Sequence, residues 1–239
     1  MKKTTLTLLA VLASTHASAD TLLGVDTTIG SWTTAYEGSI DGLRAADFFQ
    51  EESNITIQIA VEHPVPYLPN ILVAHNNIET IFEDGTYDMD LSHTDATLYY
   101  EVLDNWLNLD LGLTARNYDG RLKKTPIGLV GCPDSCSWDL IPSRSILLDF
   151  AGTVPMAYLM AEFELPVTGL SIIAQGNGTN YRGDTISELT AKVRWDFVPT
   201  MDFALEAGYR GLLMDSTELD ELNMDFEATG PYFGLSLRL

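Results

Sequence analysis

The sequence predicts an all-β protein, an antiparallel, up-and-down transmembrane β-barrel of about ten strands. Apolar and polar residues alternate with a period of two along most of the chain after residue 20, as they do in strands with two different faces. Many of these runs reach the roughly 9–11 residues that a tilted strand needs to span a bilayer. Short and long connections also alternate along the chain, which is typical of barrels with both termini on one side.

Composition and charge are compatible with such a barrel and exclude one other class. The 239 residues carry 13 Lys and Arg against 34 Asp and Glu, a formal net charge of −21. This balance argues against nucleic acid as a partner, because phosphate binding needs a clustered basic surface. A mean hydropathy near zero is compatible with a membrane barrel, because lipid-facing and water-facing residues average out.

The N-terminal segment predicts export. Lys2 and Lys3 precede an apolar stretch at 6–13, and the small residues at 17–19 match the cleavage site of a secretory signal peptide. We therefore expect a signal peptide at 1–19 and a barrel domain at 20–239; an uncleaved anchor or an ordinary first strand is the alternative. No later run approaches the 18 or so apolar residues of a transmembrane helix.

The strands are predicted from the alternating runs, taken in chain order. In the run 55–62, branched residues such as Ile57 and Ile59 share one face, and Thr56 and Gln58 share the other. The clearest runs are 55–62, 95–102, 107–116, 157–165, 189–197, 203–210 and 232–239, and weaker runs lie at 22–36, 70–79 and 170–178. Aromatic residues near strand ends or on apolar faces fit an interfacial girdle: Tyr67, Tyr100, Trp106, Trp195, Phe197, Phe203 and Phe233.

The connections favour a membrane barrel over a soluble one. Tight turns are predicted at 64–69, 103–105, 166–169 and 198–200, and longer outer loops at 37–53, 80–88, 117–145, 179–185 and 213–223. A Greek-key sandwich has no reason to sort its loops in this way. A soluble lipocalin-like barrel also alternates, but its apolar face points inward and its outer face must be well charged.

The polar faces carry charges of both signs, which predict a charge network in the lumen. Its predicted members are Asp95, Glu101, Asp110, Arg116, Glu162, Lys192, Arg194, Glu206 and Arg210, and Glu164, Asp196 and Arg238 lie on the same rows. Paired charges can fill the narrow interior of a barrel of about ten strands, whereas large aqueous channels need about 16 strands. We therefore expect a plugged lumen, with a narrow path for small solutes or cations as the alternative.

One pair of lumen residues is a weak catalytic candidate. His93 and Asp95 share one face of a strand, where residues two apart lie about 7 Å from each other. Leaning together, they could activate water or a serine, as a membrane-embedded hydrolase would. The other interpretation, which we favour, is a hydrogen-bonded lumen histidine.

The predicted outer loops hold two further features. Cys132 and Cys136 would form a short disulfide in an oxidising compartment, shaping the tip of the longest loop. With two cysteines and no histidines at ligand spacing, a zinc site is unsupported, and no cofactor is expected. Acidic residues recur in the loops and could bind divalent cations that bridge lipopolysaccharide phosphates, or could simply be solvated.

Several segments carry a resemblance to a known family. They are DTLLG at 20–24, EHPVPYLPN at 62–70, DLSHTDATLYYEVLDNW at 90–106 and GPY at 230–232. The chain from Asp20 onward resembles an uncharacterised family of Gram-negative outer-membrane β-barrel proteins, and differs from it in the loop that contains the cysteines. The resemblance implies fold and compartment and no activity. The last run, ending at Leu239, also resembles the signal read by the barrel-assembly machinery, whose usual last residue is aromatic.

These observations predict an integral protein of the outer membrane of a Gram-negative bacterium. Its expected partners are membrane lipid and lipopolysaccharide, the barrel-assembly machinery during biogenesis and, at the acidic loops, divalent cations. The expected role is structural or ligand-binding and not enzymatic. The alternatives from other classes are a narrow, porin-like channel and a hydrolase that uses His93 and Asp95.

Overall fold

The protein is described from a computed structural model covering residues 23–40, 43–44, 51–81, 87–124, 127–130, 139–142, 146–181, 184–198, 203–219 and 222–239. Its strands are β1 (Gly24–Ile40), β2 (Leu43–Arg44), β3 (Glu52–Glu62), β4 (Asn70–Asn76), β5 (Glu79–Ile81), β6 (Tyr87–Asp90), β7 (His93–Leu103), β8 (Leu107–Lys124), β9 (Ile127–Val130), β10 (Asp139–Pro142), β11 (Ile146–Leu165), β12 (Leu170–Tyr181), β13 (Asp184–Val198), β14 (Phe203–Leu219) and β15 (Leu222–Arg238). Among these residues, no helix has the length and apolar character needed to cross a membrane. The predicted signal peptide and the cysteine pair lie outside the described residues.

The strands close into a barrel. Antiparallel neighbours follow the order β11, β12, β13, β14, β15, β1, β3, β4, β7, β8, and β8 pairs back with β11 from Ile146 to Phe163. β5 and β6 continue β4 and β7 in the same register, because Ile71 faces Leu98 and Thr80 faces Met89 across one antiparallel pair of strands. The predicted all-β, up-and-down barrel of ten strands is therefore confirmed.

The strands extend further at one end than the sequence predicts. We call the end with the short turns and the two terminal strand ends the turn end, and the opposite end the loop end. Residues 117–124, predicted as loop, continue β8, and most of 213–223 belongs to β14 and β15. Past the apolar belt the outward positions, such as Asn117 and Asp119, are polar, while the inward positions, such as Tyr118, are buried, so the pattern of a lipid-facing strand ends. The main-chain hydrogen bonds that pair the strands continue.

The outer surface carries the apolar face of the strands. Leu113 is 72% exposed and Ile29 is 56% exposed, although both lie in the middle of long strands. The other members of this belt include Ile55, Ile57, Ile59, Ile71, Val73, Leu98, Leu111, Leu159, Ile172, Leu189, Val193, Leu205, Leu213 and Leu235. A continuous apolar band around a closed barrel is the lipid-facing surface of a transmembrane barrel.

Aromatic side chains border this band near the turn end. Trp106 packs edge-on against Phe163 with ring centroids 5.4 Å apart, and Trp195 lies 6.2 Å from Phe197. Tyr67, in the turn between β3 and β4, is 95% exposed. Indole and phenol rings in such positions anchor a barrel at the membrane–water interface.

The lumen is filled in layers. Toward the loop end, buried apolar side chains form one cluster: Trp32, Tyr36, Ile78, Met89, Leu91, Tyr118, Met156, Ile186, Leu212, Met214, Phe226, Ala228 and Tyr232. Toward the turn end a smaller cluster contains Leu72, Tyr99 and Tyr158. Charged side chains occupy two levels: one between the two clusters, and one at the turn end. The apolar layer was not predicted from the sequence, because the faces of the first strand could not be assigned.

Candidate functional site

Arg116 is the most deeply buried cation of the lumen. It lies on β8, where the alternation points it inward, and none of its side chain is exposed. Its Nε donates to Asp95 Oδ1 at 2.8 Å and its Nη2 donates to Asp95 Oδ2 at 2.7 Å. Asp95 is its direct cross-strand partner on β7, so the register of the two strands builds this bidentate pair.

Glu188 on β13 joins Arg116 to a second cation, Arg210 on β14. Arg116 Nη2 donates to Glu188 Oε2 at 2.6 Å, and Arg210 Nη2 donates to Glu188 Oε1. β11 and β12 lie between β8 and β13, so this contact spans the lumen and not a pair of neighbouring strands. We call Asp95, Arg116, Glu188 and Arg210 the cross-lumen network. Its charges alternate in sign along the chain of contacts.

Arg210 extends the network to the opposite wall. Its Nη1 donates to Thr56 Oγ1 at 2.7 Å, and its Nη2 donates to Asn76 Oδ1 at 2.7 Å. Its guanidinium lies 4.7 Å from the ring centroid of Trp32, a cation–π contact at the base of the apolar layer. The network therefore ties β7 and β8 to β13, β14, β3 and β4 through side chains alone.

His93 is held by the network without contacting Asp95. Its Nδ1 lies 3.0 Å from the carbonyl oxygen of Leu91, which can only accept, so Nδ1 carries the proton. Its Nε2 then accepts from Asn76 Nδ2 at 3.1 Å, and it lies 3.7 Å from Glu188 Oε2. Both oxygens of Asp95 are occupied by Arg116. The structure thus does not assemble the His93–Asp95 pair that a hydrolase would use.

Two further groups of charges lie closer to the turn end. Lys192 Nζ donates to Glu206 Oε2 at 2.7 Å, and Tyr232 Oη donates to the same oxygen at 3.3 Å. Arg194 Nη1 donates to Asp26 Oδ2 at 3.2 Å, and Arg238 Nε donates to that oxygen at 3.3 Å.

Two small cavities lie among the described residues of the lumen. A cavity of about 40 Å³ borders the cross-lumen network, and another of about 70 Å³ lies toward the turn end. Gln58, Gln175 and Lys192 line both cavities and separate them. Within the part of the chain that the structure describes, no group of three or more His, Cys, Asp or Glu side chains is arranged to hold a metal ion.

Most of the predicted network members lie inside the barrel. Eight of them are at most 8% exposed: Asp95, Asp110, Arg116, Glu162, Lys192, Arg194, Glu206 and Arg210. Glu101 is exposed at the mouth of the turn end, where its Oε1 accepts from Asn70 Nδ2 at 2.8 Å. Lys192 and Arg194 do not join the cross-lumen network and pair instead with nearby acids.

Glu188, the centre of the network, was not among the predicted residues. The predicted alternating run on its strand begins at Leu189, one residue later. Continuing the polar face of that run backward from Lys192 through Thr190 reaches Glu188, so the alternation itself contains the signal.

Comparisons with known proteins find similarity only among solved structures. No protein-family model matches the chain, and no curated protein matches it. One similar structure is Ail, the attachment invasion locus protein of Yersinia pestis, in complex with the heparin analogue sucrose octasulfate. It has a TM-score of 0.37 and 12% identity, covering 91% of this chain and 99% of that one.

Two further structures have comparable scores. Neisserial surface protein A has a TM-score of 0.38 and 12% identity, covering 90% of this chain and 96% of that one. The beta domain of the Bordetella autotransporter BrkA has a TM-score of 0.48 and 11% identity, covering 90% and 98%. The strand order described above follows from this chain's own strand pairing.

Proposed function

We propose that this protein is an integral outer-membrane barrel of a Gram-negative bacterium whose lumen is closed to solute flow. The observation that carries the proposal is the cross-lumen network, in which Glu188 bridges Arg116 and Arg210 beneath a buried apolar layer. The barrel then serves as a rigid, membrane-anchored support, structural or ligand-binding, for the segments at its loop end. The turn end faces the periplasm, and the lipid-facing belt contacts membrane lipid and lipopolysaccharide.

Two physical arguments support closure. Removing one partner from a buried ion pair costs about 3–5 kcal/mol, because it leaves an uncompensated charge, so a path through the network is costly to open. The apolar layer adds a second barrier, because a hydrated ion passing Trp32 and Phe226 would have to lose water without gaining polar contacts. The position of the belt is consistent with this, because Leu189, 57% exposed on the outer face, directly follows Glu188 of the cross-lumen network along β13.

Planar-bilayer conductance of the refolded protein tests the proposal. A shift in gel mobility between unboiled and boiled samples first shows that the barrel has folded, and we then expect no discrete current steps. A Trp32→Ala/Arg210→Ala variant removes the stacked pair at the base of the apolar layer and should show small current steps, which shows that insertion is productive. The matched control is Trp195→Ala, which removes an outward-facing indole and should leave the bilayer silent. Discrete, salt-dependent steps from the wild-type protein would contradict closure.

One observation favours a narrow cation path as the second candidate. The two cavities share three lining residues, so polar space extends from the turn end to the cross-lumen network with one side-chain layer between. A conducting path would continue through this layer and past Trp32. The same recording decides between the candidates, because a path through cavities of about 40 and 70 Å³ would carry small monovalent cations and exclude larger solutes.

Divalent cations at the acidic loops and recognition by the barrel-assembly machinery stay predictions from the sequence. Much of the loop sequence, including 45–50 and 82–86, lies outside the described residues. The pairing of the final strand is compatible with such recognition: β15 closes the sheet against β1, and Leu239 exchanges two main-chain hydrogen bonds with Val25.

A further inference from the structure

The larger lumen cavity has an excess of carboxylates. It measures about 70 Å³ and lies toward the turn end, where Asp26, Glu62, Asp110, Glu162 and Glu206 contribute to its lining. The side chain of Arg238 also lines it and is 47% exposed, so the cavity reaches solvent at that end.

The three bases of the cavity are already engaged. Lys192 pairs with Glu206, Arg194 pairs with Asp26 and Asp196, and Arg238 contacts Asp26 at 3.3 Å and Glu162 at 4.0 Å. In the described part of the chain, no Lys or Arg nitrogen lies within ion-pair distance of Glu62 or Asp110. Counted formally, the five carboxylates that line the cavity exceed these three bases by two, and Glu62 is reached by Arg238 only through space.

Asp110 is the carboxylate that points to a ligand. It is 3% exposed, and its Oδ1 is fully buried without a hydrogen-bond partner among the described residues. Glu62, Glu101 and Glu162 act on it through space as like charges. A buried carboxylate in such surroundings needs a counter-charge and a hydrogen-bond donor.

The space and its walls select the kind of cation. A cavity of this size holds a few waters or a small organic ion. Tyr99 lines one side, with its Oη donating to Glu62 Oε1 at 3.2 Å, so an aromatic ring stands beside the two carboxylates that have no ion pair among the described residues. A primary ammonium brings three N–H donors and a charge that an aromatic ring also attracts, whereas the described carboxylates do not form a metal-binding group.

We propose that this cavity, with Asp110 and Glu62 as its charged floor and Tyr99 as its wall, binds a small primary ammonium ion that enters from the turn end. The site requires the barrel fold and not a closed lumen. A failure of the ammonium site would therefore show as an absence of binding, whereas a failure of the proposed closed lumen would show as ion conductance.

Isothermal titration of the folded, detergent-solubilised barrel with methylammonium chloride tests the proposal. We expect saturable binding to one site per barrel at constant ionic strength, with tetramethylammonium, which has no N–H donor, binding at least tenfold more weakly. Asp110→Asn keeps the shape of the side chain and removes its charge, and it should weaken methylammonium binding by at least tenfold. Glu227→Gln is the matched control, because it removes one exposed carboxylate near the loop end and should leave binding unchanged.

The same titrations can overturn the proposal. Wild-type protein that binds no methylammonium would show that Asp110 keeps a proton instead of taking a cation. Equal binding by wild type and Asp110→Asn would place the cation elsewhere, and preference for Mg²⁺ over methylammonium would contradict the ammonium chemistry. If Asp110→Asn fails the gel-mobility test for folding, Glu62→Gln replaces it and should weaken binding by the same tenfold. An unchanged affinity in Glu62→Gln would again place the cation elsewhere.

Discussion

Replacing Glu188 by alanine tests the energetic role of the cross-lumen network. The substitution removes the one carboxylate that contacts both Arg116 and Arg210. Arg116 keeps its bidentate pair with Asp95, whereas Arg210 keeps only neutral partners, Thr56, Asn76 and the ring of Trp32. The variant therefore leaves one buried cation, 3% exposed, without a counter-charge.

The expected cost is about 3–5 kcal/mol in the free energy of unfolding, the range for removing one partner of a buried ion pair. The assay is urea unfolding in lipid vesicles, followed by tryptophan fluorescence and gel mobility. A second variant, Glu188→Ala/Arg210→Ala, removes both charges and should be less destabilised than the sum of its single variants by about 1–3 kcal/mol.

Glu227→Ala supplies the control, because Glu227 is exposed on β15 and its loss should change stability by less than about 0.5 kcal/mol. A Glu188→Ala variant as stable as this control would refute the reasoning, since the network would then not hold the barrel together. Strict additivity in the double variant would refute the direct coupling between Glu188 and Arg210.

Three other substitutions test the belt, a turn and a close strand contact. Leu113 is 72% exposed on the outer face, and Leu113→Arg should lower the free energy of unfolding in lipid vesicles by about 2–4 kcal/mol. Asn117→Arg, on the same face nearer the loop end, should lower it by at most about 1 kcal/mol. Equal losses would contradict the position of the belt. Val167→Asn should raise the free energy of unfolding by about 1 kcal/mol, because Val167 is fully exposed with a φ of 71°, a conformation that Asn adopts more easily than a β-branched residue. Urea midpoints should show no such gain for the control Val65→Asn. Gly230→Ala should destabilise by about 1–3 kcal/mol or more, because its Cβ would meet the Thr33 carbonyl oxygen, whereas Gly178→Ala meets nothing within 4 Å; similar melting of the two variants would argue against this strand contact.

The sequence predicts which residues face the lumen better than it predicts which residues they pair with. Alternation on β8 places Asp110 and Arg116 on the inner face, since strand faces depend only on neighbours in the chain. That Arg116 pairs with Asp95 follows from the register of β7 against β8, and that it also reaches Glu188 depends on the stagger of the whole barrel. No pattern within one strand indicates which strands across the lumen will lie at the same level.

The apolar layer shows the limit of hydropathy as a guide. Trp32 and Tyr36 point inward on β1, while the outward positions between them are Thr33 and Ala35, so the inner face is locally the more apolar one. A large side chain packs equally well against lipid or against other side chains in a narrow lumen, because both surroundings exclude water. The sequence therefore could not distinguish the two faces of this strand.

What the sequence alone determined is the all-β class, the ten strands, the faces of most of them and the short turns, because each of these depends on period-two alternation and turn residues within about ten positions. The tertiary structure decided the register in which β1 closes the barrel against β15, the extension of strands past the belt, the layer at the loop end and the partners of the paired lumen charges. Those features depend on which strands meet and at what stagger, and main-chain pairing fixes both without regard to the local alternation of side chains.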